Sequence, residues 1–384
     1  MSSDMAGVGG RTLAVIGAGV AGLSVAAALQ RAGFAARVFE RSARASAHGA
    51  LLLWSNALRA LRTLGLEDAV LERAARIEQT EFRSWRGELL TSLPIEQWSS
   101  EAGAATVVVR RSDLLDVLRS ALPPECIEYG TALESFSTDE GRVRAQLDSG
   151  RVVDADGLIG ADGLHSVVRS QLIGHDEMRP AGYDAWVGIA PRTPATARAG
   201  TSIATLGHGP RFWHATLADG AVFWFATIPS LARERLERSE LIETFAEWHD
   251  PVPELIESTP DGAVAHTSIR DRLPAPRWGS GAATLVGDAA HPSTPDLGQG
   301  ACQAIESAVT LAECMAGSPR VADAFRTYEQ RRMRRTATVT RMCWLTSLNS
   351  GVSDPTACKV RDLAIRYGLR AAARPSLQWL LAKS

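Results

Sequence analysis

The sequence is short of the features that mark several protein classes. Charge is nearly balanced: 41 basic and 43 acidic residues leave a net charge of −2, which supplies no overall field for nucleic acid or an anionic membrane. The five cysteines, Cys126, Cys302, Cys314, Cys343 and Cys358, are scattered and contain no CxxC pair. Such a set excludes a disulfide framework and a zinc site and reads as reduced thiols of a cytoplasmic protein. No stretch approaches the roughly 20 apolar residues that span a bilayer. The first ten residues lack the basic-then-apolar order of a secretory signal and read as a lead-in. Aromatic residues make up only 6%, so any local concentration of them is informative.

What is present is a soluble globular composition, 45% hydrophobic over 384 residues, too long for one ordinary core and suggesting two domains. Thr12 to Ile16 reads as a buried parallel strand, Val20 to Gly33 as an alanine-rich helix closed by glycine, and Arg37 to Glu40 as the next strand. Asn56 to Ala75 and Asp113 to Leu122 read as helices, the second with Ser112 as N-cap. The middle is β-rich. Asp148-Ser149-Gly150 and Ala218-Asp219-Gly220 each join two strand patterns into a hairpin. In the second hairpin Trp213, Ala215 and Leu217 share one face, and Phe212, His214 and Thr216 the other. Ala282 to Val286 returns as a strand, Gln303 to Met315 as a helix, and residues 321 to 384 are mostly helical.

Gly17-Ala18-Gly19-Val20-Ala21-Gly22 follows the first strand and opens the first helix. Gly17 permits the tight turn, Gly19 leaves room for a pyrophosphate, and Gly22 lets the helix lie close to the strand. Phosphates would sit at the helix N-terminus, where free N–H groups and the dipole favour negative charge. Glu40 closes the next strand, followed by Arg41. A carboxylate there accepts ribose hydroxyls and repels a 2′-phosphate. Strand, helix and acidic residue together turn a weak glycine pattern into a dinucleotide site.

Two further motifs separate FAD from NAD. Asp156 to Arg169 reads DGLIGADGLHSVVR, and Gly287 to Gln303 reads GDAAHPSTPDLGQGACQ. With the N-terminal motif, these resemble the three fingerprints of the class A, p-hydroxybenzoate-hydroxylase-like FAD monooxygenases, whose circle includes salicylate and urate hydroxylases and zeaxanthin epoxidases. The resemblance covers about residues 12 to 345. It implies that Asp288 binds the ribityl chain, that Pro295 lies by the flavin ring, and that backbone N–H groups of Gly298, Gln299 and Gly300, with Ala301 following, approach the pyrimidine edge. It implies that Asp162 serves both FAD and the nicotinamide cofactor and that Arg111 contacts FAD. The chain departs from the family at His48-Gly49-Ala50, where a Gly-Ala-Gly-like turn is common, and at Ser307, where aspartate is common.

The implied fold is α/β: a Rossmann-like FAD-binding domain (residues 1–82, 100–172 and 272–345) interleaved with a β-rich substrate domain (83–99 and 173–271), plus a C-terminal helical segment (346–384). The implied activity is hydroxylation of a small aromatic or other electron-rich substrate by FAD, NADH or NADPH, and O2, through a flavin C4a-hydroperoxide. Epoxidation, N-hydroxylation, a flavin dehydrogenase or reductase, and flavin binding without turnover are the alternatives. With one GxGxxG and no redox cysteine pair, the nicotinamide must use a surface cleft. No nucleic-acid partner is expected. Trp186, Trp213 and Trp224, with Pro295, are pocket candidates; His214 and Asp296 are candidates for catalysis. His291 reads as structural, and the arginines at 326, 331, 332, 334 and 335 as a solvated face.

Overall fold

A computed structural model describes residues 10–43, 48–139, 141–174, 176–191, 198–230 and 238–382; most of the sequence-read lead-in lies outside them. Among the described residues the strands form four sheets. The first is wholly parallel, in the order Ala283–Leu285, Gly157–Gly160, Thr12–Ile16, Ala35–Glu40, Ile127–Tyr129. Strands Ala283–Leu285, Gly157–Gly160 and Thr12–Ile16 are almost wholly buried on both faces, which is why they read as apolar runs rather than alternating ones. Helix Val20–Arg31 packs on helix Gly300–Ala316, so residues almost three hundred positions apart share one core. The two motifs flanking those helices therefore open at the same edge of the sheet.

The β-rich part is a seven-stranded sheet ordered Ala265–Asp271, Arg179–Ala190, Val222–Pro229, Arg211–Thr216, Thr201–Leu206, Gln79–Ser84, Leu89–Leu93. It takes in residues from position 79, four earlier than the boundary read from sequence. Every neighbouring pair is antiparallel except Thr201–Leu206 with Gln79–Ser84. Alternation divides its side chains cleanly. One face carries Arg211, Trp213, Ala215 and Phe225 and looks toward Leu52, Trp54 and Leu297 of the nucleotide part. The other carries Phe212, Trp224 and Trp186 and is covered by helices Arg238–Phe245 and Val252–Ser258.

Three element readings are corrected. Ser112 lies inside the first turn of helix Arg111–Ser120 instead of capping it. The single helix read from Asn56 to Ala75 is two, Ser55–Leu64 and Glu67–Leu71, followed by the short strand Ala75–Arg76. Gly65 breaks it by adopting a left-handed φ of 75°, the usual way a helix ends. The basic helix at 326–335 is also not a uniformly solvated face. Arg332 is fully buried, donating to Gln303 Oε1 (2.8 Å) and Ser307 Oγ (3.2 Å) beside Glu306. No helix among the described residues is long and apolar enough to cross a membrane.

Candidate active site

The glycine motif sits where strand Thr12–Ile16 hands over to helix Val20–Arg31, and the three glycines have separable causes. At Gly17 (φ 104°) a Cβ would lie 2.5 Å from the carbonyl oxygen of Ala161, and at Gly22 it would lie 1.8 Å from that of Gly17. Both are demanded by the protein's own packing. At Gly19 a Cβ would meet nothing within 4 Å. Nothing among the described residues requires glycine there, so the space over the helix N-terminus is left for something else, as a pyrophosphate would need. Ala21 approaches Gly287 of the distant motif closely enough that a Cβ on Gly287 would lie 2.6 Å from its own.

Glu40 accepts from the backbone N–H of Ala18 (2.8 Å) through Oε2 and from that of Ser42 (2.9 Å) through Oε1. The two bonds fix its orientation and leave each oxygen a second acceptor site. Arg41 beside it is exposed.

Asp288 follows strand Ala283–Leu285 of the same parallel sheet, and the space between it and the glycine motif is the candidate cofactor groove. Its carboxylate has no hydrogen-bond partner among the described residues, and burial among protein atoms pushes its carboxyl upward, partly offset by the Arg111 guanidinium. It remains open to the groove, so a bound hydroxyl can satisfy it. A Cβ on Gly300 would lie 3.9 Å from Asp288 Oδ1, placing the start of helix Gly300–Ala316 beside that carboxylate. Gln299 is buried there: its Oε1 accepts from Asn56 Nδ2 (3.2 Å) and Gln303 Nε2 (3.0 Å), while its Nε2 is unpartnered. Gly298 takes a left-handed φ of 60°, where a side chain would crowd Leu52. Ala301 and Pro295 are accessible. The departure at His48-Gly49-Ala50 lies against the substrate sheet: a Cβ on Gly49 would meet Phe223 at 3.4 Å, and the Gly49 carbonyl accepts from Arg111 N–H (3.0 Å).

Asp162, expected at the cofactor, is partly buried at the start of the helix that closes the second motif. Its carboxylate accepts from Ser166 Oγ (2.5 Å) and from the N–H groups of Val167 (2.8 Å) and Val168 (3.3 Å). It caps helix Val167–Ile173, and burial pushes its carboxyl upward against these bonds. Arg169, one turn on, donates from Nη1 to the carbonyl oxygens of Ala289 and Ala290, joining the second motif to the third.

The inner face of the seven-stranded sheet meets this groove at Asp296. Tyr183 donates its hydroxyl to Asp296 Oδ2 (2.6 Å), and Arg211 donates from Nη2 to Oδ1 (2.8 Å) and from Nε to Thr227 Oγ1 (3.2 Å). The Asp296 side chain is 0% exposed while that of Arg211 is 18% exposed. The carboxylate therefore works through the guanidinium. Burial, with Asp296 alongside, pushes the Tyr183 phenol well above its usual range, so it remains a donor. Sequence reading found Asp296 but missed Tyr183 and Arg211. The signal for Arg211 was its position two residues before Trp213, on the same face.

Trp213 is half-buried on that inner face, 5.9 Å from Phe223 between ring centroids. Three other candidates are not brought there. Trp224 stacks on Phe212 at 5.7 Å and donates to Thr259 Oγ1 (2.8 Å) on the helix-covered side. Trp186 packs in the same outer cluster. His214 pairs across the strands with Trp224, is fully enclosed with its Nε2 unpartnered, and burial drives its pKa to about 3. The period of two that puts Trp213 inward puts these three outward, away from Arg211. His291 is buried against Trp278, with its pKa also driven to about 3 by burial, as a structural residue would be.

Comparison with known proteins gives this geometry a family. The FAD binding domain family matches residues 11–343. The chain is 36% identical over 337 residues to an aurachin C monooxygenase/isomerase of Stigmatella aurantiaca, covering 85% of this chain and 86% of that one. It is 35% identical over 389 residues to a 3-amino-4-hydroxybenzoate 2-monooxygenase of Streptomyces cremeus, covering 97% and 95%. Klebsiella pneumoniae HpxO, solved with FAD and uric acid, superposes with a TM-score of 0.92 at 26% identity over 99% of both chains. The fold and site define an FAD-dependent monooxygenase. The chain belongs to the FAD binding domain family and, within it, to the class A flavin monooxygenases.

Proposed function

We propose that this protein hydroxylates a small electron-rich aromatic or heteroaromatic substrate, using NADH or NADPH and O2. The groove from Glu40 to Asp288 fits FAD: Gly19 leaves open the space a pyrophosphate takes, and Asp288 is an unpartnered carboxylate where a ribityl hydroxyl would donate. When bound, FAD would supply the redox chemistry, taking two electrons from the nicotinamide and activating O2, one oxygen atom going to the substrate and the other to water. Gly298, Gln299 and Gly300 lie at the start of a 17-residue helix, whose N-terminal N–H groups and dipole favour negative charge at the flavin's pyrimidine edge. Arg41, Arg111 and Ala301 complete the cofactor assignment; Asp162 serves by position, through the helix it caps.

The observation that carries the substrate side is the Tyr183–Asp296–Arg211 set directly after Pro295. It holds a partly exposed guanidinium rigidly at the edge of an apolar wall that includes Trp213 and Phe225. Arg211 orients a ring oxygen of the substrate and stabilises charge developing on it, while the wall excludes water. Known relatives act on such rings, among them 3-amino-4-hydroxybenzoate, 6-hydroxynicotinate and urate. Screening hydroxylated aromatic and heteroaromatic rings for stimulation of NAD(P)H oxidation, followed by mass spectrometry with labelled O2, tests the reading. One labelled oxygen in the product is expected; a product without label rejects it.

A further inference from the structure

The balanced net charge hides an uneven distribution. Residues 355–384 contain six basic residues, Lys359, Arg361, Arg366, Arg370, Arg374 and Lys383, and one acidic residue, Asp362. The segment thus carries +5, leaving −7 on the rest of a chain whose net charge is −2. Both lysines of the protein fall within it. Arg366 and Arg374 lie against Glu88 and Glu101 of the body; counting those two and leaving out Lys383, the described part of the segment still holds a surplus of two positive charges.

The same segment shows large apolar side chains to solvent. It runs as helix Pro355–Ala364, a π-helical turn Ile365–Leu369, and helix Arg370–Leu381. Val360, Leu363 and Tyr367 are 63%, 55% and 80% exposed. Their spacing of three and four sets them on one side of the helix. The opposite side is committed: Leu377, Leu380 and Leu381 are buried, and Leu369 and Ala373 pack on the cluster that holds Trp213 and Phe225. A helix anchored along one side, with apolar and tyrosine side chains outward among arginines, has the composition of an interfacial helix.

We propose that the C-terminal helical segment docks this enzyme on an anionic lipid surface. The charge selects this occupant over a second copy of the chain. In a two-fold dimer the same patch faces itself, bringing a positive surface against a positive surface. A bilayer of anionic lipids offers opposite charge and an apolar layer for Leu363 and Tyr367 together. Because the inner side of the segment packs on the same buried cluster as Trp213, a substrate dissolved in that layer arrives near the apolar wall; this last step rests on the proposed substrate site, whereas lipid docking does not.

Flotation of the FAD-loaded protein with vesicles of phosphatidylcholine, alone or mixed with phosphatidylglycerol, tests it. About tenfold stronger partition onto the anionic vesicles is expected, weakened by salt and lost in the Leu363→Glu/Tyr367→Glu double variant. Those side chains are exposed, so the variant keeps its FAD and melting temperature, and bound FAD reports separately on the flavin site. Wild-type protein that leaves both vesicle types unbound overturns the proposal. So does a dimer that the same substitutions convert to a monomer without any vesicle binding.

Discussion

Arg169 donates from Nη1 to the backbone carbonyl of Ala289 at 2.8 Å, across 120 residues of sequence. The same nitrogen reaches Ala290 at 3.1 Å, and Nη2 pairs with Asp176 at 2.6 Å. The arginine is 1% exposed. It therefore clamps the helix capped by Asp162 to the residues directly after Asp288. Replacing it with methionine leaves two buried carbonyls without a donor. Arg169→Met is expected to lower stability by about 2–3 kcal/mol and FAD affinity by about tenfold, measured by urea unfolding and by flavin fluorescence titration. Unchanged FAD affinity in a destabilised variant would confine the clamp to folding.

The set around Asp296 makes a second prediction. Asp296→Asn keeps shape but removes the charge that holds Arg211. Flavin content is expected to be unchanged, while kcat/KM for a hydroxylated ring falls about 10- to 100-fold. Asp296→Glu restores part of the loss. Tyr183→Phe removes one hydrogen bond and costs about tenfold or less. Equal losses of flavin and turnover in Asp296→Asn would place the carboxylate in the cofactor site instead.

The aromatic residues divide by face. Trp213→Ala is expected to change substrate range while sparing FAD and most of the stability. Trp224→Ala removes a ring resting against Gly188, where an added Cβ would lie 2.4 Å from it, and is expected to cost about 3–5 kcal/mol of stability. Thermal melts and a substrate panel on both variants check this. A destabilised Trp213→Ala with normal selectivity would reverse the assignment.

That division also shows what the sequence made legible. That the glycine motif and the 298–300 loop form tight turns at helix starts, at the same sheet edge as Glu40 and Asp288, was readable because such turns need backbone geometry that only particular residues permit. Alternation correctly separated Trp213 from His214, but it gives no sign of which face meets the groove. That depends on helices Arg238–Phe245 and Val252–Ser258 covering one side, a tertiary fact. The buried Arg332 was missed for the same reason: a basic run looks solvated until Gln303 and Glu306 of another helix are seen beneath it. Tyr183 and Arg211 carry no local motif; their role exists only because Asp296 lies between them.

Two buried histidines contribute to the pH response. His214 and His291 are held neutral in the folded chain, with pKa values near 3 against about 6.5 when unfolded. Their folded state carries no penalty above pH 6.5. As pH falls toward 3 the unfolded chain gains protons that the folded one refuses, so stability drops, by up to about 1.4 kcal/mol per pH unit for each. His214→Leu is expected to flatten that slope and to retain activity. Loss of turnover with FAD still bound would return His214 to the reaction.

The most direct test is a titration of FAD against Gly19→Ala. The added Cβ meets no protein atom within 4 Å, so the fold should tolerate it at about 1 kcal/mol for the poorer helix cap. FAD affinity should nevertheless fall at least about tenfold, because the methyl group occupies the space reserved for the pyrophosphate. A Gly19→Ala protein that binds FAD as tightly as the wild type would contradict the account.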